Sequence, residues 1–235
     1  MLALLATSLC AACVPDSAFL YAWDHRRVVC SEPVDDVTQG DASDFIDDTF
    51  RLAANRDQVV TLHAHIPGQT ITTGWLEAML KRADADQLAY VTYSDLATGT
   101  PRPGLALAFD DQAIDAWYGI RDQLARHAAH VTFFVTRWQT AWDDAGRAKL
   151  RELVALGHDV QPHSVSHIHA RAYVAEHGLP AYITDEVVPS IEAMRQAGYP
   201  PTTFAFPFGE TSPEITDAVL QHIDRVRVSP GSCPY

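Results

Sequence analysis

The sequence predicts an α/β fold in which a mainly parallel sheet closes into a (β/α) barrel. Two features point there. About seven short runs rich in β-branched and aromatic residues alternate with helical patterns, the signature of parallel strands with covering helices. The polar residues that stand out then fall at the carboxyl ends of different runs: His65, Asp110-Asp111, His163 and Phe206-Pro207-Phe208. Barrel enzymes assemble their sites on that face. At 235 residues the chain is long enough for one large domain with a substantial core.

The strand-like runs occupy residues 59–65, 88–92, 105–109, 131–135, 158–160, 203–206 and 225–228. Between them, residues 73–82 place Trp75, Leu76, Met79 and Leu80 on one helical face. Residues 143–156 open on acids, carry Leu150, Leu153 and Val154, and stop at Gly157. Residues 180–197 repeat Ile183, Val187, Ile191 and Met194 at helical spacing, with Pro189 expected to kink or split the helix. Three segments follow: residues 1–13 as a candidate lipoprotein-type export signal, 14–55 as an acidic lead-in or tether, and 56–235 as the catalytic domain.

Net charge is −13, with 17 basic residues and no basic block, which argues against nucleic acid and anionic membrane surfaces as partners. The apolar run before Cys10-Ala11-Ala12-Cys13 is too short to span a bilayer. It is similar to the tail of an export signal, with Cys13 as the residue for lipid attachment, although a basic n-region is missing and Cys10 stands where Leu is usual. A buried N-terminal strand is the alternative. Export would place the protein in the periplasm or at the cell surface and favour a Cys30–Cys233 bridge, with two free thiols as the competing state.

Chemistry concentrates in two stretches. Asp110 and Asp111 close the apolar run Leu105-Ala106-Leu107-Ala108-Phe109. His163 and His167 are four residues apart; if that stretch opens a helix, both imidazoles project from one face and share one ion. One carboxylate and two imidazoles make a three-ligand site with open positions. The second carboxylate is left for proton chemistry. An acidic pair alone is usually a cap or a turn, and a lone histidine pair is often a surface accident. Together, at strand ends, they read as a metallohydrolase.

These residues resemble the motifs of the polysaccharide deacetylase (NodB-homology) family of carbohydrate esterases, family 4. Phe109-Asp110-Asp111 looks like its first motif and His163-Ser164-Val165-Ser166-His167 like its second. Phe204-Ala205-Phe206-Pro207-Phe208-Gly209 looks like its third, and the likeness spans roughly residues 58–230. The resemblance implies an irregular (β/α)7-type barrel. The family's C-terminal Leu-x-x-His is missing, and Leu62-His63-Ala64-His65 supplies that pattern before the first motif. This order is similar to the circularly permuted poly-N-acetylglucosamine deacetylases. His63 and His65 share one strand face, so His63 competes with His65 for the role. Gln112 replaces the usual Gly after the acids, Ala205 replaces the Arg that orients the base in many members, and no Asp-x-x-x-x-Trp motif is evident. Arg225 and Arg227 are the candidates for the missing support.

The resemblance implies removal of acetyl groups, N-acetyl foremost, from a cell-surface or extracellular polysaccharide. Asp111, His163 and His167 would hold one divalent ion, Zn²⁺ ahead of Co²⁺ or Ni²⁺, which polarises the acetyl carbonyl and acidifies water. Asp110 would be the base, the Phe208 backbone N–H an oxyanion donor, and His65 the acid for the leaving amine. Phe206, Pro207 and Trp138 are the expected substrate contacts, with Trp117 and Trp142 as further groove candidates. The competing classes are a glycan-binding lipoprotein without catalysis, a metallohydrolase of non-sugar amides, and a non-haem iron oxygenase, whose usual antiparallel barrel does not suit this alternation.

Overall fold

The computed structural model describes residues 16–234. Ten strands run through them: β1 (Leu20–Tyr21), β2 (Val28–Cys30), β3 (Glu32–Pro33), β4 (Val59–Ala64), β5 (Ala89–Tyr90), β6 (Gly104–Asp111), β7 (Thr132–Val135), β8 (Asp159–Pro162), β9 (Thr203–Ala205) and β10 (Arg225–Val228). The sequence-predicted strands correspond to β4 through β10. Apart from the half-buried β5, their side chains are almost wholly buried, as expected of a parallel sheet covered by helices.

The larger sheet has the order β1-β4-β6-β7-β8. One edge of β4 meets β1, antiparallel, near its start and β3, parallel, near its end. One edge of β6 meets β4; the other meets β5 first and β7 afterwards. The smaller sheet is β2-β10-β9, all parallel. Side chains join the sheets at both seams. Gln161 on β8 accepts from the amides of Thr202 and Thr203 at 2.8 and 2.9 Å, while Thr61 on β4 donates to the Cys30 carbonyl on β2 at 2.5 Å. The result is an irregular barrel with a β6-centred core of Leu105, Leu107, Phe109 and Phe133 against Trp117, Leu150 and Leu153.

The helices follow the sequence closely. Thr73–Ala85 is capped by the Thr72 hydroxyl, which accepts from the Trp75 amide. Asp144–Ala155 is capped in the same way by Asp143. The long pattern near Pro189 splits as expected, into Leu179–Tyr182, a π segment at Ile183–Val187, and Val188–Gln196.

Two expectations need correction. The stretch read as a loose lead-in is built into the fold from Asp16 onward: it supplies β1, β2, β3 and the helix Ser43–Arg56, and buries Phe19, Leu20, Tyr21, Val29, Val34, Ile46 and Phe50. Its strands are two or three residues long, too short for period-2 alternation to show. The His163–His167 stretch is a loop, with helix starting only at Ala170.

Cys30 and Cys233 form a disulfide that ties β2 to the C-terminal segment across 203 residues. Closing so long a loop restricts the unfolded chain, and the bond points to an oxidising, extracytoplasmic compartment. No helix among the described residues is long and apolar enough to cross a membrane. The candidate export signal and Cys13 lie outside the described residues.

Candidate functional site

A cavity of about 360 Å³ opens where the strands end, lined by Pro33, Gln39, His63, His65, Asp110, Asp111, His163, His167, Phe208, Gly209 and Ser229. The predicted residues therefore converge from β4, β6, the loop after β8, and the loop after β9.

Asp111 ends β6 with φ of 87°, and His167 and Ser164 also occupy the left-handed region at 58° and 64°. Such backbone costs energy in a residue bearing a side chain, and the loop is pinned accordingly. The Ser164 hydroxyl accepts from the His167 amide at 3.0 Å, and Glu186 accepts from the Ser166 amide at 2.8 Å. The Thr136 hydroxyl donates to the Ser164 carbonyl. This loop, rather than a helical turn, brings the two imidazoles together, with centroids 5.1 Å apart.

Ligand atoms of Asp111, His163 and His167 all lie within 4.8 Å of one another. Asp111 Oδ1 is 2.9 Å from His167 Nε2 and 3.6 Å from His163 Nε2, and it is buried without a hydrogen-bond partner. His163 Nδ1 donates to the Ala205 carbonyl at 2.9 Å, which leaves Nε2 free to face Asp111. Burial opposes charge on Asp111, yet the two imidazoles hold its carboxyl far below the usual range. Three electron-pair donors aimed at one point, one ring fixed by an outer hydrogen bond, fit a divalent cation.

Asp110 is 3 % exposed. Its Oδ2 accepts from Arg227 Nη2 at 2.5 Å, while Oδ1 has no partner among the described residues. Arg227 is itself buried on β10 and lies over the Phe134 ring. Burial works against ionising Asp110, but the Arg227 charge, joined by the His163, His63 and His65 rings, overcomes it and lowers the carboxyl's pKa. Of the two arginines considered for support, Arg227 is the one paired with Asp110.

His65 and His63 separate cleanly. His65 Nδ1 donates to Asp35 Oδ2 at 2.5 Å, and the His65 amide donates to Asp35 Oδ1 at 3.0 Å. The Thr70 hydroxyl also donates to Asp35, and Trp117 Nε1 donates to the His65 carbonyl. Burial opposes charge on His65, but the Asp35 bond and the Asp110, Asp35 and Asp111 carboxylates raise its pKa to about 9. His63 is buried against Ser31, whose hydroxyl lies 3.0 Å from Nδ1. Burial and the Arg227 charge push its pKa well below the usual value. One ring carries a proton at neutral pH and the other does not.

Phe208 sits in a short 3-10 turn with φ of 58° and is 53 % exposed at the cavity. Gly209 follows with φ of 61°; a Cβ there would lie 2.0 Å from the Ser229 hydroxyl, so only glycine lets this loop meet the end of β10. The remaining expected substrate contacts do not reach the cavity. Phe206 and Pro207 point into the core. Trp138 packs on Trp142 and Tyr199 beneath Arg147, beside a different cavity. Trp117 and Trp142 are core as well. Asp35 was missed altogether, because its partner stands 30 residues further on, beyond an acidic stretch without periodicity.

The fold and site define a barrel protein with a candidate three-ligand cation site, flanked by an arginine-paired carboxylate and a carboxylate-paired histidine. The polysaccharide deacetylase family profile matches residues 97–224, and the chain belongs to that family. The matched span holds Asp110, Asp111, His163, His167 and Phe208, but not Asp35, His65 or Arg227. Similar solved structures include IcaB from Ammonifex degensii, with a TM-score of 0.54 and 18% identity over 71% of this chain and 82% of that one. The Streptococcus pyogenes deacetylase PplD, solved with acetate, gives 0.53 and 18% over 69% and 78%. A de-N-acetylase from Aggregatibacter actinomycetemcomitans gives 0.54 and 15% over 66% and 76%. At these identities they show the shared fold. No curated protein sequence matches the chain.

Proposed function

We propose that the protein is a metal-dependent deacetylase that removes N-acetyl groups from an extracellular or cell-surface polysaccharide. The observation that carries this reading is the convergence of the Asp111, His163 and His167 donors beside an ionised, arginine-held Asp110 in a family of polysaccharide deacetylases. A divalent cation held by the three donors, Zn²⁺ by their chemistry, would supply Lewis-acid polarisation of the acetyl carbonyl and of water.

The chain's own groups divide the proton work. Asp110 keeps Oδ2 on Arg227 and presents Oδ1, its free acceptor, to take a proton from the attacking water. Among the described residues the Phe208 amide makes no hydrogen bond outside its own turn, and it is a donor for the oxygen on which negative charge develops. His65, kept protonated by Asp35, gives its Nε2 proton to the leaving amine. With His65 just past the end of β4, ahead of the Asp110-Asp111 strand, the acid precedes the base in the chain, in keeping with a permuted motif order.

The metal assignment is tested by titration. One equivalent of Zn²⁺ is expected to bind the wild type, and His163→Ala is expected to lose binding; equal stoichiometry in both would remove Asp111, His163 and His167 as the centre. The acid assignment has a pH signature. His65 must be protonated, so kcat/KM falls as pH rises through its pKa, giving an alkaline limb near pH 9. Asp35→Asn removes the group that favours the protonated ring, and the limb should move to lower pH by about one to three units. A limb that stays in place would show that His65 is not the acid.

A further inference from the structure

We propose that His169 is a specificity-determining residue: its imidazole, stacked on Phe208, completes an aromatic platform at the cavity rim that binds a sugar ring adjoining the one being deacetylated. The proposal rests on the polysaccharide deacetylase reading and deepens it.

Phe208, Val37 and Leu156 are the large hydrophobic residues most open to solvent among the described ones, and of these only Phe208 lines the cavity. An aromatic side chain left bare at the mouth of a polar cavity marks a place where a ligand lands. Its backbone is also held in a costly conformation for a phenylalanine, with φ of 58°. The His169 ring lies parallel to it, with centroids 3.8 Å apart and planes 7° apart, and remains about half exposed. His169 Nδ1 donates to Glu210 at 2.9 Å, which fixes the ring, and the Arg171 guanidinium stands 4.0 Å from the same carboxylate. Phe208 also approaches the ring of His167, with centroids 4.7 Å apart. Phe208 therefore links His169 to His167, one of the three candidate cation ligands.

Flat apolar ring surfaces match the C–H face of a pyranose, while the acidic and basic groups around them are placed for its hydroxyls. Orientation of His169 by Glu210 means that little ordering entropy is lost when the sugar binds.

The test uses the zinc-loaded protein and N-acetylated chitotetraose, with acetate release followed for wild type, His169→Ala, His169→Phe and, as a remote control, His177→Ala. His169→Ala is expected to raise KM about three- to tenfold, the range for one aromatic contact, with kcat changed far less. His169→Phe keeps the flat surface without the Glu210 bond and should bring KM back to within about twofold of wild type. His177→Ala should match wild type. An unchanged KM in His169→Ala overturns the proposal, as does His169→Phe behaving like His169→Ala. No acetate release by the wild type would instead overturn the deacetylase reading, and the proposal with it.

Discussion

Asp110→Asn is expected to bind zinc with wild-type stoichiometry and to lose activity by about a hundred- to ten-thousandfold, the range for a lost general base. The amide oxygen still accepts from Arg227 Nη2, so the buried contact survives in neutral form. What disappears is the proton acceptor. His163→Ala makes the opposite trade: it removes a ring whose Nδ1 is held by the Ala205 carbonyl and whose Nε2 faces Asp111, and both metal and turnover should go together. Acetate release and metal content measured on the same preparations separate the two. Equal metal loss in both variants would sink the division between Asp110 and Asp111.

Arg227→Met should carry the largest stability cost. It leaves the Asp110 carboxylate buried without its ion-pair partner, and breaking a buried pair typically costs about 3–5 kcal/mol. The sign with pH follows from the native pair. Arg227 lowers the folded-state pKa of Asp110, so its contribution is present above the unfolded pKa and lost as pH falls through the folded one. The cost of Arg227→Met should therefore shrink in acid, where Asp110 protonates. Denaturant melts at neutral and acidic pH measure this. Adding Asp110→Asn to Arg227→Met should recover much of the stability, since the double variant buries no unpaired charge. A double variant as unstable as the sum of the singles would show that the pair is not coupled. In activity, Arg227→Met should move the acid limb to higher pH, because burial then raises the Asp110 pKa against the histidine rings alone.

The two variants act on parts of the site that were unequally visible in the sequence. Asp110-Asp111 and the His163/His167 pair are local motifs at the ends of strands, and strands such as 105–109 announce themselves as unbroken apolar runs. The groups that tune them are not local. Arg227 lies 117 residues from Asp110, and Asp35 lies 30 residues from His65. Arg227 was visible only as one of two arginines able to replace a missing one; its hydrogen bond to Asp110 decides between them. Asp35 follows β3, a two-residue strand in the acidic stretch read as a tether, where neither periodicity nor apolarity marks it. The His163/His167 spacing gave the right partners for the wrong reason, since positive φ at Ser164 and His167 makes a loop do what a helical turn was expected to do. Trp138 packs in the core beside a different cavity, and the sequence could not separate the two placements because an indole's preference for sugars and for cores reads identically in one dimension.

The extracytoplasmic setting indicated by the Cys30–Cys233 bond also bears on the site. The bond joins the segment leading to Asp35 with the segment following Arg227, so the supports of the proposed acid and base are tied to one another outside the cavity. Pre-organised outer groups of this kind hold reacting groups in position before substrate arrives.

The most direct measurement is acetate release from N-acetylated chito-oligosaccharide by protein stripped of metal and then given one equivalent of Zn²⁺. Release is expected to be absent in the stripped protein, restored by zinc, and absent again in Asp110→Asn with zinc bound. Release that persists after stripping, or full zinc binding without any release, would contradict a metal-dependent polysaccharide deacetylase.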